Sequence, residues 1–546
     1  MRTAACAKHF AVHSGPEALR HSFNAIASEK DMEETYLPAF RALVQEAGVE
    51  AVMGAYNRTN GEPCCASNYL MKKLRDEWGF EGHFVSDCWA IRDFHENHKL
   101  TADSAHSAAM ALKAGCDLNC GCAYQSILQA YKEGLVTEDD ITRCAVRLFT
   151  VRYMLGILGD EGSEFDEIPF DVVECDSHLA LSQKAAAESC VLLKNDGLLP
   201  LDAKTCGTLG VIGPNANSRS ALIGNYHGTA SRYITVLEGI QDRTAGSCRI
   251  LYSAGCALSA DRTEPLAKAH DRIAEAVAVA EHSDKVILVL GLDETLEGEE
   301  GDTGNSYYSG DKPDLLLPEP QQILLERVLA VGKPTVVILM AGSSIDLSAA
   351  QEDASAVLMS WYPGALGGKA VAQLLFGDLS PSGKLPITFY YNNALAEMPE
   401  FTDYSMRGRT YRYYQGTPLY PFGYGLSYAK CTVTDLRADR SAARVRVRNE
   451  AQRGTDEVVE LYIRDEASAD APPNPVLCGF NRIHLEAGEE AEFTVSIDPQ
   501  AFTVVNDRGE RVPGSGRWIL YAGFGAPDRR TLELTGAQPA STSLSD

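Results

Sequence analysis

The first 160 residues alternate short apolar segments with longer amphipathic ones, and this alternation constrains the fold more than any other feature. Short apolar segments favour strands, and the stretches between them have the length and periodicity of helices. Alternating strands and helices predict a parallel sheet covered by helices. The predicted strands are Ala4–Phe10, Ala51–Tyr56, His83–Ser86 and Ala114–Leu118, and the predicted helices include Glu34–Ala47, Ser67–Glu77 and Thr101–Lys113.

Polar residues follow the predicted strands at the points where they end. Lys8 and His9 lie near the end of the first strand. Tyr56 and Arg58 follow the second, and Asp87 follows the third. Because the carboxyl ends of parallel strands meet at one edge of a sheet, these side chains are expected to share an active face.

The segment Gly82–Trp89 holds the most informative of these residues. Phe84 and Val85 are apolar and β-favouring, and the strand then stops at Asp87, two residues before Trp89. A carboxylate at the end of a strand, beside an aromatic side chain, is suited to nucleophilic attack on a sugar ring. An Asp that caps the following helix would leave the same sequence, so this segment alone does not decide between the two roles.

The number of strand–helix units is too small for a closed barrel. Four units are present, whereas an eight-stranded barrel needs eight, in about 250 residues. The first strand also begins within a few residues of Met1. The pattern therefore predicts a partial (β/α)8-type barrel over residues 1–160, from which upstream units are missing.

Composition excludes several classes of function. The 546 residues carry a net charge of −26, which argues against nucleic acid and anionic membranes as partners. No run of about 18 apolar residues is present, so no membrane span is expected. The 15 cysteines are an odd number spread along the chain, and no signal peptide is apparent, so a reducing, cytoplasmic location is predicted.

The remaining residues divide into four regions. Residues 161–188 are acidic and irregular and predict a linker, which ends in a helical pattern over Ser177–Ser189. Residues 189–428 predict an α/β sandwich with a largely parallel sheet, residues 429–534 a β-sandwich, and residues 535–546 a disordered tail. The strands predicted here are Leu209–Gly213, Lys285–Leu292, Thr335–Met340, Ala356–Trp361, Leu385–Phe389, Ala443–Arg448, Val458–Arg464, Ala491–Ile497 and Arg517–Ala522.

An acidic loop, Leu292–Lys312, offers a second carboxylate. Loops longer than about 12–15 residues are usually functional or disordered. Retaining glycoside hydrolysis uses two carboxylates about 5–5.5 Å apart, and Asp87 with a Glu of this loop would supply them. A solvated loop and unrelated surface groups are the alternative, because sequence spacing cannot show that the two segments meet. The carboxylates of the loop are Asp293, Glu294, Glu297, Glu299, Glu300 and Asp302.

The same hypothesis assigns substrate contacts. Lys8, His9 and Arg58 are expected to bond sugar hydroxyls, and Trp89 is expected to stack on a pyranose face. The sequence contains no P-loop, dinucleotide fingerprint, HExxH motif, paired-cysteine zinc motif or GxSxG elbow, so no cofactor and no metal are expected.

Several segments, taken in order, resemble glycoside hydrolase family 3, the exo-acting β-glucosidases and β-xylosidases. The resemblance extends from residue 4 to about residue 525. The segments that carry it are Ala5–Phe10, Val52–Asn57, Phe84–Asp87, Val191–Asn195, Trp361–Gly364, Tyr420–Tyr428, Gly454–Tyr462 and Leu477–Phe480.

The resemblance implies roles for individual residues. Asp87 is the implied nucleophile, with Trp89 at the sugar subsite and Lys8, His9 and Tyr56 as substrate-binding residues. Gly298-Glu299 is similar to the family's acid/base element, which implies Glu299 as the acid/base. Glu297 is the alternative, and Glu300 stays open.

The resemblance also implies the architecture and the activity. It implies a partial barrel, an α/β sandwich and a fibronectin type III-like domain, and a retaining exo-β-glycosidase that releases terminal glucose or xylose. The alternative is a truncated, catalytically impaired remnant that binds carbohydrate or assembles with other proteins. Because upstream strands of the family's barrel have no counterpart here, a homo-oligomer or a complementing chain is expected to complete the barrel.

Overall fold

The computed structural model describes residues 3–13, 15–159, 162–298 and 311–545, which form two compact units. The first unit comprises the residues up to Val172 together with Pro399–Arg407 and Val505–Val512. The second unit comprises Val173–Met398 and the rest of the C-terminal third of the chain.

The first unit alternates short strands with helices. Its strands are β1 (Cys6–Phe10), β2 (Asn24–Ala25), β3 (Ala51–Gly54), β4 (Arg58–Thr59), β5 (Glu62–Pro63) and β6 (His83–Ser86). Its helices are α1 (Glu29–Asp31), α2 (Pro38–Gln45), α3 (Asn68–Met71), α4 (Ala90–Glu96), α5 (Ser104–Ala114), α6 (Ile127–Lys132) and α7 (Glu138–Met154), with π-helical segments at Met32–Tyr36 and Lys72–Glu77.

A parallel sheet in the order β1-β3-β6 forms the centre of this unit. Val52 of β3 lies opposite Phe84 of β6, and both side chains are fully buried. The side chains that pack against β3 leave no room for a Cβ atom at position 54, so this position requires glycine. A Cβ there would lie 2.7 Å from the Phe84 ring and 2.8 Å from the Cys65 sulfur. The partial α/β barrel predicted from the sequence therefore begins as three paired parallel strands.

The fourth predicted strand, Ala114–Leu118, is wrong. Ala114 ends α5, and Gly115 closes that helix in the left-handed conformation at φ +100°. Within this segment only Leu118 pairs with the sheet, through an isolated bridge to Val85. A helix that continues further than the periodicity suggested leaves too few residues for a strand.

The second unit contains a six-stranded sheet in the order β7-β12-β11-β10-β8-β9. All its pairings are parallel except that of β7, which runs antiparallel to β12 at one edge. The strands are β7 (Val191–Asn195), β8 (Thr208–Ile212), β9 (Arg249–Ser253), β10 (Lys285–Gly291), β11 (Thr335–Met340) and β12 (Ala356–Met359). The helices are α8 (Asp176–Ser189), α9 (Val236–Thr244), α10 (Arg272–Glu281), α11 (Glu319–Leu329), α12 (Ser348–Asp353), α13 (Gly367–Leu375) and α14 (Thr410–Tyr413).

The apolar runs in the central strands explain why both faces of this sheet are covered. Along β10, Leu288 and Leu290 belong to one hydrophobic cluster and Ile287 and Val289 to another. Continuous apolar strands of this kind are typical of parallel sheets buried between two layers of helices. The largely parallel α/β sandwich predicted from the sequence is therefore confirmed.

One detail of this region differs from the sequence predictions, and a second agrees with them. Leu385–Phe389 is not a strand, because Pro386 lacks a backbone N–H and only Phe389 forms an isolated bridge, to Tyr420. The predicted linker over residues 161–188 ends in α8, as the helical pattern over Ser177–Ser189 indicated.

The C-terminal region is a β-sandwich of two sheets, in the orders β13-β14-β17 and β16-β15-β20-β21. Its core includes Val445, Leu461, Trp518 and Leu520. The elements of the sandwich are β13 (Cys431–Ala438), β14 (Ala442–Asn449), β15 (Thr455–Asp465), β16 (Val476–Leu485), β17 (Glu490–Ser496), β20 (Arg517–Gly523), α15 (Arg529–Thr535) and β21 (Ala540–Ser545). Two short strands, β18 (Thr503–Val505) and β19 (Arg511–Pro513), pair with each other in a separate two-stranded sheet.

The end of the chain differs from the predicted disordered tail over residues 535–546. Ala540–Ser545 forms β21, which pairs antiparallel with β20 over six residues. Its small polar side chains alternate between half-buried and exposed positions, so the strand satisfies its backbone without needing a strongly apolar sequence.

A buried cluster of charges joins the α/β sandwich to the β-sandwich within the second unit. Lys384 Nζ lies 2.8 Å from Glu457 Oε1 and donates to the Gly425 carbonyl oxygen at 2.6 Å. Glu460 lies beside this pair and accepts a hydrogen bond from Tyr462 Oη at 2.9 Å. Burial raises the pKa of Glu460 to about 7, although Lys384 opposes the shift.

We expect Glu460→Gln to remove a pH dependence of stability. A carboxyl group whose pKa rises from 4.5 to about 7 on folding stabilises the protein fully below pH 4.5, and that stability is lost as the pH rises through 7. The native chain should therefore lose about 2–3 kcal/mol of unfolding free energy between pH 5 and pH 8, a loss that the variant should not show. Denaturant unfolding at both pH values measures the difference.

Glu466→Gln is the matched control, because Glu466 is an exposed glutamate of the same sandwich. That variant should follow the native pH dependence. Equal pH dependence in the Glu460→Gln variant and the native chain would contradict the account of this cluster.

Candidate active site

The candidate site of the first unit lies at the carboxyl edge of the β1-β3-β6 sheet. Asp87 follows β6, Tyr56 follows β3, and His9 lies near the end of β1. Because the three strands are parallel, these positions share one edge. The topology thus provides the common face on which the sequence analysis placed the polar residues.

Asp87 is held at this edge with one carboxyl oxygen free of hydrogen bonds. The residue is 7% exposed, and its backbone N–H donates to the Gly54 carbonyl oxygen at 3.1 Å. Oδ1 accepts a hydrogen bond from the Cys88 N–H at 2.7 Å. Oδ2 is buried and accepts no hydrogen bond from any residue that the structure describes. A fixed carboxylate with one unengaged oxygen is what nucleophilic attack requires.

His9 is the predicted binding residue that lies against Asp87. Its Nε2 is 3.2 Å from Asp87 Oδ2, but the two groups are not aligned for a hydrogen bond. Burial lowers the pKa of His9 to about 4, outweighing the opposite effect of the Asp87 charge. The imidazole is therefore neutral near pH 7. The His13 ring lies 5.3 Å from it, and the Tyr56 ring lies 6.2 Å from that of His13.

Tyr56 and Arg58 are positioned by the segment that follows β1. Tyr56 is buried, and the Arg20 guanidinium lies 4.8 Å from its ring centroid. Arg58 Nη2 donates to the Ser22 carbonyl oxygen at 3.3 Å. Tyr56 thus belongs to the ring cluster beside His9, while Arg58 is directed towards the backbone of a loop.

Trp89 and Lys8 are accessible near the nucleophile candidate. Trp89 is 45% exposed, and its backbone N–H donates to the Cys120 carbonyl oxygen at 2.8 Å. The Arg92 guanidinium lies 5.6 Å from the centroid of the Trp89 ring. Lys8 is exposed on β1. Among the described residues, no hydrogen bond or ion pair joins Trp89 or Arg58 to the Asp87 side chain, so their predicted roles toward a sugar stay predictions.

Sequence reasoning assigned no role to several polar residues around this edge. His13 Nδ1 lies 3.1 Å from Asn57 Oδ1, and His21 Nδ1 lies 2.8 Å from the buried Asp93 carboxylate. The His21 ring packs edge-on against Tyr56 at 4.8 Å. Three of the chain's 12 histidines fall within its first 21 residues, and that concentration was the available signal.

Two disulfides differ from the expectation of a fully reduced chain. Cys88, next to Asp87, is bonded to Cys120, and Cys206 of the second unit is bonded to Cys248. The Cys88–Cys120 bond ties the end of β6 to the loop that begins after Leu118. Cysteines 32 and 42 positions apart gave no local sequence signal of pairing.

In the second unit, Glu297 is held by several donors at once. Oε2 accepts hydrogen bonds from the Gly342 N–H at 2.6 Å and from Tyr362 Oη, and Oε1 accepts one from Ser343 Oγ. Lys312 Nζ lies 3.9 Å from Oε1, and burial lowers the pKa of that ammonium group. Burial, together with the Glu297 charge, raises the pKa of Tyr362 well above its usual range. We call this arrangement the Glu297 anchor.

The other two acid/base candidates, Glu299 and Glu300, lie outside the described residues. The described part of the loop reaches Gly298, immediately beyond the Glu297 anchor. The separation of the two carboxylates expected for retention, about 5–5.5 Å, therefore stays a prediction.

The described residues contain neither a metal-binding cluster nor a helix that could span a membrane. In residues 3–13, 15–159, 162–298 and 311–545, no three His, Cys, Asp or Glu side chains are grouped so that they could hold a metal ion. Over those same ranges, no helix combines the length and the apolar character needed to cross a membrane.

The sequence matches three family models along its length. Residues 2–151 match the glycosyl hydrolase family 3 N-terminal domain, and residues 190–428 match the glycosyl hydrolase family 3 C-terminal domain. Residues 457–525 match a fibronectin type III-like domain.

Curated relatives carry names of two activities. The chain is 30% identical to a xylan 1,4-β-xylosidase of Xylanibacter ruminicola, over 91% of this chain and 74% of the relative. It is 37% identical to β-D-xylosidase 1 of Arabidopsis thaliana, over 79% of this chain and 55% of the relative. A periplasmic β-glucosidase of Salmonella typhimurium is 32% identical, with coverages of 94% and 71%.

Solved structures show the same similarity in three dimensions. A GH3 exo-β-xylosidase, XlnD, in complex with a xylobiose aziridine probe, matches with a TM-score of 0.87 at 27% identity. The match covers 99% of this chain and 72% of that one. The GH3 β-glucosidase of Bifidobacterium adolescentis matches with a TM-score of 0.81 at 29% identity, over 100% of this chain and 76% of that one.

Proposed function

The chain belongs to glycoside hydrolase family 3, and from that premise we propose that it is a retaining exo-β-xylosidase, acting on terminal β-linked xylose of oligosaccharides or glycosides. The observation that carries the proposal is Asp87, a buried carboxylate at a strand end with Oδ2 free of hydrogen bonds among the described residues. Relatives named xylosidase support xylose as the sugar. Glucose is the second candidate, because proteins named β-glucosidase match as well.

The reaction takes place in two displacements. In the first, Asp87 Oδ2 attacks the anomeric carbon and the bond to the glycosidic oxygen breaks, while Glu299 gives its proton to that oxygen. In the second, the Glu299 carboxylate takes a proton from water, whose oxygen attacks the anomeric carbon and releases Asp87. Two inversions leave the sugar in its original β configuration.

The neighbours of Asp87 suit this role. Neutral His9 beside Oδ2 carries no charge that would form an ion pair with the nucleophile and weaken it. His9, Lys8 and Arg58 supply donors for sugar hydroxyls, and the exposed indole of Trp89 supplies a surface for the C–H face of a pyranose. Tyr56 fixes the ring cluster behind His9.

Steady-state kinetics with nitrophenyl glycosides test the proposal. We expect kcat/KM for the β-xyloside to exceed that for the β-glucoside by about tenfold or more, because a site shaped for xylose has to exclude the hydroxymethyl group that glucose carries on C5. NMR of the first-formed sugar should show the β anomer before mutarotation. Absence of hydrolysis of both glycosides, or initial formation of the α anomer, would contradict the proposal.

The Glu297 anchor favours Glu299 over Glu297 as the acid/base. A general acid must carry a proton and face the leaving oxygen, whereas both Glu297 oxygens already accept hydrogen bonds from Gly342, Ser343 and Tyr362. We therefore assign Glu297 a positioning role, in which it holds the first part of the acidic loop, Leu292–Gly298, in place.

Substitutions of the two glutamates should separate these roles. Glu299→Gly should slow hydrolysis of substrates with poor leaving groups by about 10³-fold. With an activated aryl glycoside, whose leaving group needs no proton, azide should restore the rate and form a β-glycosyl azide. Glu297→Gln should lower kcat by about 10-fold to 100-fold without azide rescue, and Tyr362→Phe should have a smaller effect of the same kind. Rates with and without azide for each variant give the comparison. Azide rescue of a Glu297→Gly variant, and none for Glu299→Gly, would reverse the assignment.

Two further expectations stay predictions. The described strands leave β1 at an edge of its sheet, which supports association with a second copy or a complementing chain, to be tested by light scattering. The predicted cytoplasmic location rested on the odd number of dispersed cysteines and on the lack of a signal-peptide pattern. The two disulfides favour the other possibility, an oxidising compartment. Fractionation of the source cells would decide the location.

A further inference from the structure

A cavity of about 290 Å³ lies within the second unit, outside the site described above. The aromatic segment Tyr411–Phe422, which connects the α/β sandwich to the β-sandwich, forms one wall. The end of β15, the middle of β20 and the start of α15 form the others. Its size suits a sugar residue or a disaccharide rather than a large ligand, since drug-sized pockets begin at about 300 Å³.

The wall made by the aromatic segment is fixed in place. Asn474 Nδ2 donates to the carbonyl oxygens of Tyr411 and Tyr414 at 2.8 and 2.7 Å, and Gln415 Nε2 donates to Asn474 Oδ1 at 3.2 Å. The Tyr411 ring stacks on Phe422, with centroids 4.0 Å apart and planes 9° apart. These contacts hold the cavity open without a ligand, so the lining residues lose little further conformational entropy when a ligand binds.

Several polar groups that line the cavity have no hydrogen-bond partner among the described residues. They include the Arg464 guanidinium and the hydroxyls of Tyr414, Tyr521 and the buried Thr388. Other lining groups are engaged: the Tyr411 hydroxyl accepts from the Leu477 N–H at 3.2 Å. Donors that line a preformed aromatic cavity and have no internal hydrogen-bond partner are available to a ligand with several acceptors.

The charge of the lining is opposite to that of the whole chain. The chain carries −26, whereas three arginines (Arg464, Arg529 and Arg530) and one carboxylate (Asp528) line the cavity. The Asp528 carboxylate accepts from the Thr531 N–H at 2.7 Å, and Glu533 pairs with Arg529 and Arg530 at 2.8 and 3.3 Å. Arg529 and Arg530 thus have a carboxylate partner, whereas Arg464 has none among the described residues and is available to pair with an anionic ligand.

We propose that this cavity binds a uronic acid residue of an oligosaccharide. The sugar carboxylate would pair with the Arg464 guanidinium, the hydroxyls would accept from Tyr414 and Tyr521, and the C–H face would lie on the aromatic wall. The choice of a saccharide over other anions rests on the proposed function, which brings glycosides to the protein. The cavity is an accessory site that recognises acidic branches of a glycan, separate from the chemistry at Asp87.

Calorimetric titration of the full-length chain tests the proposal. The protein carries Asp87→Asn so that the ligand is not cleaved, and the probes are xylotriose bearing a glucuronic acid branch and plain xylotriose. We expect the acidic probe to bind with a Kd below about 1 mM, at least tenfold more tightly than the neutral probe. Raising the ionic strength should weaken only the acidic probe.

Substitutions in the cavity locate the binding. Arg464→Gln should weaken the acidic probe about tenfold and remove its salt dependence, and Tyr521→Phe should weaken it less. Arg444→Gln is the matched control, because Arg444 is an exposed arginine of β14 away from the cavity. Neither side chain at 464 or 521 has a partner in the described fold, so the variants should unfold at the temperature of the parent.

Three results would overturn the proposal. They are equal affinity for the two probes, equal affinity of the Arg464→Gln and Arg444→Gln variants, and displacement of the acidic probe by a nucleoside phosphate at lower concentration. Loss of the proposed function is measured separately, by the hydrolysis of nitrophenyl β-xyloside by the native chain. Binding in the cavity without hydrolysis would contradict the xylosidase assignment and leave the accessory site supported.

Discussion

Replacing Asp87 with Asn is expected to lower kcat/KM for an aryl β-xyloside by about 10⁴-fold or more. The amide cannot form the ester to the anomeric carbon. Its oxygen can still accept from the Cys88 N–H, and the backbone N–H of residue 87 still donates to the Gly54 carbonyl oxygen, so the side chain should stay where the carboxylate lies now. The effect should fall on kcat, since the side chain stays in place for binding. Initial rates across substrate concentrations measure both parameters.

A smaller side chain at the same position gives a sharper form of this test. Asp87→Gly with azide should form the α-glycosyl azide, because azide then makes a single displacement from the face that Asp87 occupied. Asp139→Asn, an exposed position on α7, is the control and should leave the kinetics unchanged. A fall of less than tenfold for Asp87→Asn would rule out Asp87 as the nucleophile.

Asp117→Ala is expected to cost about 3–5 kcal/mol of stability in the first unit. The Asp117 carboxylate is fully buried, lies 2.8 Å from Arg75 and 3.3 Å from Arg147, and accepts from the Phe84 N–H of β6 at 2.8 Å. Burial lowers the pKa of Arg75 to about 10, against the opposing effect of Asp117. Without Asp117 that guanidinium would lose its carboxylate partner and keep only the hydrogen bonds from Nη1 to the carbonyl oxygens of Phe80 and Gly82.

Chemical unfolding of the variant measures this loss. Asp139→Ala serves as the control, because its carboxylate is exposed, and it should change stability by less than about 0.5 kcal/mol. A double variant, Asp117→Leu with Arg75→Met, should recover most of the stability, because the cost comes from an unpaired charge rather than from lost volume. An Asp117→Ala variant as stable as the control would contradict the structural role of this ion pair.

Local pattern was sufficient to predict the strand ends. His83–Ser86 is a strand with the predicted bounds, because apolar β-branched and aromatic residues between turn signals favour strands regardless of their partners. The same local signal placed Asp87 at the edge of a sheet. The predicted strand Ala114–Leu118 was wrong for a local reason too. Ala114 is the last residue of α5, and Gly115 follows it in the left-handed conformation.

Contacts between distant segments were not predictable. Ser343 and Tyr362, which hold Glu297, lie 46 and 65 positions away, and nothing in the acidic loop indicates a fixed carboxylate among solvated ones. Cys88 and Cys120 likewise meet only because β6 and the Leu118 segment pair. The strand at Ala540–Ser545 forms because β20 offers an unpaired edge to a sequence with little strand preference of its own.

Covalent trapping of the intermediate tests the central claim most directly. A 2-deoxy-2-fluoro β-xyloside with a good leaving group should inactivate the chain, because the fluorine slows both displacements while the leaving group keeps the first one fast enough to proceed. Mass spectrometry of the digested protein should then find one fluoroxylosyl group, on the Asp87 carboxylate. No label under conditions of turnover, or a label on any other residue, would contradict the account.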